Sequence, residues 1–135
     1  MLKKITTIGI IGAVVLVTLV LYFSDSSVEE TSTVISVDTP DVIMPTKVSR
    51  PGCEENNLCY IPSQIVVEQG KKVTWLNEDS AFHSVTSGFY DEPTDLFDSG
   101  YLDPYQSFSF TFDTVGTYDY YCTLHPWMEG QVVVE

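Results

Sequence analysis

The stretch YYCTLHPWME, residues 120–129, sets a thiol, an imidazole and a thioether three positions apart, at Cys122, His125 and Met128. A thiolate is a soft donor, an imidazole an intermediate one and a thioether a weak soft one, a mixture that suits copper in both of its oxidation states. A second imidazole has one source, because the chain holds 2 histidines and the other is His83, in NEDSAFHSV. Two strands meeting at one end of a β-sandwich would close a His2Cys plane around one copper ion, with Met128 as the long fourth ligand.

The cysteine count bears on the same point. There are 3 cysteines, and two of them, Cys53 and Cys59 in PGCEENNLCY, can close a small disulfide loop in an oxidising compartment. Other pairings, such as Cys53 with Cys122, remain open on arithmetic alone. With the local pair made, Cys122 is left over, and a thiol outside a cell is prone to oxidation unless it is buried or bound.

The compartment is argued from the first residues. After MLKK, the run from Ile5 to Phe23 carries no charged residue, and its length as a helix is roughly 28 Å, enough to cross a hydrocarbon core. Lys3 and Lys4 precede it and Asp25, Glu29 and Glu30 follow, so the basic flank faces the cytoplasm and the rest lies on the extracytoplasmic face. The run ends LYFSDSS, with bulky residues where a signal cleavage site wants small ones. Residues 1–24 are therefore read as one transmembrane helix or an uncleaved signal, with cleavage as the alternative. Residues 25–50, rich in Ser, Thr, Val, Asp and Pro, read as a polar spacer, in which VIMPTKV is either an added edge strand or an extended approach. That leaves 51–135 as a single domain. The chain carries 6 basic and 19 acidic residues, a net charge of −13, which argues against nucleic acid as a partner because phosphate binding needs a Lys/Arg footprint.

The elements that must position the ligands are short strands. IPSQIVVEQG predicts a strand from Gln64 to Glu68; KKVTWLN puts Val73 and Trp75 on one face; FHSVTS predicts a strand from Phe82 to Ser87; and SFSFTF alternates Phe108, Phe110 and Phe112 with Ser or Thr. TVGTYDYYC and QVVVE complete the set, and the polar stretch from Gly88 to Pro104 reads as irregular with a helical turn. No stretch after Phe23 has the length and periodicity of a substantial helix. The pattern points to an all-β, antiparallel sandwich.

His83 and the Cys122-x-x-His125-x-x-Met128 loop, with the frames VVEQGKKVTWLNEDSAFHSV and FSFTFDTVGTYDYYC, resemble the blue-copper cupredoxins of the plastocyanin and amicyanin group. The resemblance covers roughly residues 60–135, and the compact CTLHPWM loop is most similar to the amicyanin type. It implies a cupredoxin-like Greek-key β-sandwich holding one type 1 copper, cycled between Cu(I) and Cu(II) without substrate chemistry, with His125 at the exposed face. Many members follow the first histidine with Asn, whose side chain ties the two ligand loops; here Ser84 stands there.

The implied function is an extracytoplasmic, membrane-tethered and monomeric electron carrier exchanging with redox protein partners such as respiratory-chain or oxidase components. Pro126 stiffens the turn, and Trp127 either covers the metal edge or stands in a docking patch. Enzyme readings lack support: the carboxylates are scattered, and a Cys122–His125 nucleophile has no orienting group. A copper carrier or chaperone and a redox-inactive zinc sandwich remain as alternatives, though zinc makes little use of a thioether.

Overall fold

The computed structural model describes residues 39–135; the expected membrane helix at 1–24 and most of the expected spacer lie outside the described residues. The described residues form eight strands: β1 Val42–Met44, β2 Gln64–Val67, β3 Lys71–Asn77, β4 Thr86–Gly88, β5 Pro93–Asp98, β6 Ser107–Phe112, β7 Gly116–Tyr121 and β8 Glu129–Val134. Among them the helical structure is a single 3₁₀ turn at Glu54–Asn56. The strands make two sheets, ordered β1-β3-β6 and β2-β8-β7-β4-β5, which is the two-layer all-β arrangement the alternating patterns call for.

Trp75 sits between the layers, fully buried. Its ring lies 5.9 Å from Phe108 on its own sheet and 5.4 Å from Tyr120 and 6.1 Å from Phe97 on the other, centroid to centroid. Burying one such side chain removes on the order of 150–250 Å² from water, about 4–6 kcal/mol at ~25 cal/mol/Å². The inward set Val73, Trp75 and Phe112 is buried as the period of two requires, while Phe108 and Phe110 are half-buried.

Four expectations change. The sandwich is mixed, because β1 runs parallel to β3 and β2 parallel to β8. Neither pair is joined by a hairpin, so no tight turn forces antiparallel pairing. Residues 42–44, within the stretch read as spacer, are the added edge strand β1, whose Val42 and Met44 are fully buried, so the packed domain starts before residue 51. The stretch 88–104 is not irregular throughout but carries β5, antiparallel to β4 at the sheet edge. Of its six residues only Phe97 is buried, so β5 has almost no alternation to read, and its proline occupies the first position, where an edge strand tolerates it. Gly88 permits the turn between them: its φ is +98° and an added Cβ would lie 2.4 Å from the Glu92 carbonyl oxygen.

β4 also starts later than the sequence pattern suggests. His83 lies outside the strand and forms an isolated antiparallel bridge with Leu102, the two backbones exchanging hydrogen bonds of 3.3 and 2.8 Å. That bridge ties the His83 loop to the segment between β5 and β6.

Candidate metal centre

Cys122 to Met128 is the turn between β7 and β8, which are paired antiparallel up to Tyr121 and Glu129. The His125 amide donates to the Cys122 carbonyl at 3.3 Å and the Met128 amide to the His125 carbonyl at 2.9 Å. These are two successive β-turns sharing His125, so the three-residue spacing of the donors is the span of each turn. Pro126 occupies the second position of the second turn, where its fixed φ is favoured. The Cys122 amide then closes the loop on the Met128 carbonyl at 3.1 Å.

The His83 loop meets this turn. His83 Nδ1 lies 3.1 Å from His125 Nδ1 and 3.8 Å from Cys122 Sγ, and Cys122 Sγ lies 3.5 Å from His125 Nδ1. A triangle with these edges has a circumradius of about 2.0 Å, against typical metal–nitrogen and metal–sulfur bonds of ~2.0–2.3 Å. The three donor atoms are therefore spaced as the ligands of one metal ion would be. His83, Cys122 and Met128 are fully buried and His125 is half-buried, so the thioether is enclosed at the end of the turn while one imidazole reaches toward solvent.

The residue that sequence reasoning missed is Asp79. It is buried, and its Oδ2 lies 3.1 Å from His83 Nε2. The same carboxylate accepts the amides of Lys47 (3.0 Å), Ser49 (3.2 Å) and Ser80 (2.8 Å). A carboxylate accepts only if Nε2 carries the proton, and that tautomer leaves the Nδ1 lone pair facing Cys122 and His125. The one sequence signal is its place four residues before His83; among 19 acidic residues it does not stand out.

These contacts shift the proton affinities of the metal-free site. For Cys122, burial pushes the thiol up, but hydrogen bonding with His83 and with the Ser84 and Leu124 amides outweighs it and the pKa ends below its ordinary value. For His83, burial pulls the imidazole down, but bonds to Cys122 and Asp79 outweigh it and the pKa is raised. His125 is lowered by burial and by the neighbouring His83. Asp79, which burial would raise, is held well below the usual carboxylate range by the Lys47, His83, Ser80 and Ser49 donors.

Residues 48–135 match the copper binding proteins of the plastocyanin/azurin family. The chain belongs to that family. Among cupredoxin relatives, the amicyanin of Paracoccus denitrificans is 38% identical over 78 residues, 56% of this chain and 58% of that protein. The chain thus spans little more than half the length of the amicyanins it matches. The plastocyanin of Scenedesmus fuscus is 32% identical over 92 residues, 62% of this chain and 94% of that protein. A solved purple cupredoxin from Nitrosopumilus maritimus superposes with a TM-score of 0.65 at 31% identity, covering 72% of this chain and 100% of that one.

Against the usual cupredoxin Asn, Ser84 still ties the ligand loops. Its Oγ accepts the Thr123 amide at 2.9 Å, and its own amide donates to Cys122 Sγ at 3.3 Å. The shorter side chain is extended by hydroxyls, with Ser84 Oγ 3.1 Å from both Thr86 Oγ1 and Thr123 Oγ1, and Thr86 donating to Asp98 at 3.0 Å. Pro126 is exposed. Trp127 is half-buried, its ring 5.3 Å from that of His125 and its Nε1–H donating to the Val48 carbonyl at 3.1 Å. Its indole is therefore fixed in place on the domain. Cys53 and Cys59 are joined in a disulfide, and Cys122 is free and buried.

Proposed function

We propose that this cupredoxin is a one-electron carrier with a single type 1 copper held by His83, Cys122, His125 and Met128. The observation that carries the reading is the convergence of two Nδ1 atoms and one Sγ, all within 3.8 Å of one another, on a turn that ends at the buried Met128. His2Cys with a weak thioether is the donor set of blue-copper electron-transfer sites. Copper bound there supplies a couple between Cu(I) and Cu(II).

The protein's part is to hold the donors still and give access at one point. Asp79 orients His83, the Ser84 amide bonds to the Cys122 sulfur, and the two fused turns leave His125 and Met128 little freedom. His125 is the half-exposed ligand, and next to it in the chain Leu124 and Pro126 are exposed, as is Phe82 beside His83. These apolar side chains suit a small, short-lived interface with a redox protein, such as a respiratory-chain or oxidase component, for which weak docking is favoured. The acidic excess adds attraction if that partner is cationic. We further propose that the chain acts as a monomer on the extracytoplasmic face, anchored by a single membrane-spanning helix within residues 1–24, with the segment before β1 as its tether.

The test is a visible spectrum with metal analysis of the oxidised protein. One copper per chain, an intense charge-transfer colour that bleaches reversibly on reduction, and loss of that colour in Cys122→Ser are expected. A colourless protein that prefers zinc and gives no voltammetric wave would refute the reading. Protease accessibility of the domain in intact cells and membrane fractionation check the anchor.

A further inference from the structure

We infer that the segment from Lys47 to Tyr60 is a brace for both ligand loops, and that the Cys53–Cys59 disulfide, by closing it, governs how tightly the site holds its ion. The inference rests on the copper reading above, and it assigns a role to the disulfide that the ligand set does not contain.

Four hydrogen bonds lead from this segment to the neighbours of the ligand residues. The Lys47 and Ser49 amides hold the Asp79 carboxylate, and the Oδ2 that receives Ser49 is the one bonded to His83. Between those two amides, the Val48 carbonyl receives the Trp127 indole, which lies between His125 and Met128. At the far end of the segment, the Tyr60 hydroxyl donates to the Ser84 carbonyl at 2.7 Å, and the Ser84 amide reaches Cys122 Sγ. One continuous stretch thus touches the residue behind His83, the residue between His125 and Met128, and the residue that bonds to Cys122.

The disulfide sits where these contacts meet. Cys53 Sγ lies 3.9 Å from the Val48 carbonyl oxygen, and Cys59 Sγ lies 3.8 Å from the Trp127 carbonyl oxygen. A bridged sulfur carries no proton, so these are packing contacts: the bond is wedged between the brace and the ligand turn. Cys59 and Val48 are buried. Lys47 has a φ of +77°, a left-handed conformation that a residue with a Cβ keeps only when its surroundings hold it. The hydrogen bond from its amide to Asp79 is part of that hold. With the bridge open, the loop 53–59 is no longer cross-linked, and the Val48 carbonyl and the two Asp79 donors lose the support behind them.

The experiment compares the full-length chain with Cys53→Ser/Cys59→Ser and with Trp127→Phe, which keeps a ring but lacks the indole N–H. Partners of metal ligands typically carry 10–100-fold of metal affinity, so release of copper to a chelator, measured well below the melting transition, should be about tenfold faster in the double variant and faster by a smaller factor in Trp127→Phe. In the metal-free protein, hydrogen exchange of the Trp127 indole should be slow in the wild type and fast in the double variant. Release and indole exchange unchanged in a folded double variant would overturn the inference, leaving the disulfide a stabiliser alone. Should the double variant fail to fold, unchanged release from Trp127→Phe would overturn it equally. A wild-type chain that takes no copper would defeat the functional reading instead, and the indole exchange would still decide the brace.

Discussion

Replacing Asp79 by alanine removes the acceptor of four donors: the amides of Lys47, Ser49 and Ser80 and Nε2–H of His83. Lys47 and Ser80 are exposed, so water can take over their amides; Ser49 is half-buried and His83 fully buried. An unsatisfied buried donor costs about 1–3 kcal/mol, and with Ser49 at the low end the metal-free domain should lose about 2–4 kcal/mol. Urea unfolding should show this as a lower midpoint at unchanged slope. Copper affinity should fall roughly 10–100-fold, because the His83 imidazole is no longer held with Nδ1 toward the site. Asp79→Asn separates the two effects. Its single carbonyl oxygen can still accept from His83, with the amide nitrogen turned to the solvated side, so affinity should recover further than stability. Wild-type affinity and stability in Asp79→Ala, within about threefold and ~0.5 kcal/mol, would refute the claim that this carboxylate positions the ligand.

Gly130→Ala would set a Cβ 2.4 Å from Cζ of Tyr120, whose ring is confined by Tyr60 at 4.9 Å and Trp75 at 5.4 Å; overpacking of this kind costs about 1–3 kcal/mol, measurable in the same denaturant titration. Burial raises the phenol pKa of Tyr60 and of Tyr120, so the folded state favours their neutral forms. Their contribution to stability is complete below the unfolded value of ~10 and is lost as pH rises above it. In an alkaline titration of the metal-free protein, the tyrosinate absorbance of these two should appear only together with loss of the folded circular dichroism signal. Met128→Leu should keep its copper and raise the potential in voltammetry, because it removes a weak donor that favours the oxidised ion; loss of the copper would give Met128 a larger role than that.

The cluster of His83, Cys122 and His125 was more legible than the fold around it. Cys122, His125 and Met128 stand at the corners of two consecutive turns, so their relation is local and shows in the spacing. His83 was legible by count, being the only other imidazole in the chain. The Cys53–Cys59 bridge is likewise local. β5 was hidden because a solvent-facing edge strand with one buried residue carries no periodic signal. The parallel pairing of β2 with β8 was hidden because Val67 and Val134 meet from opposite ends of the domain, and nothing in either segment names its partner.

The sequence by itself determined the donor types, their spacing and the strand-rich class, since turns and alternation are properties of neighbouring residues. Only the tertiary structure decided which carboxylate stands behind His83, that a serine hydroxyl still ties the two loops, and that residues 47–60 belong to the site. Apart from Asp79, which stands four residues before His83, those contacts join positions 24 to 79 residues apart, and at that separation a hydrogen bond is chosen by how two sheets and their loops pack, which no short stretch of the chain encodes.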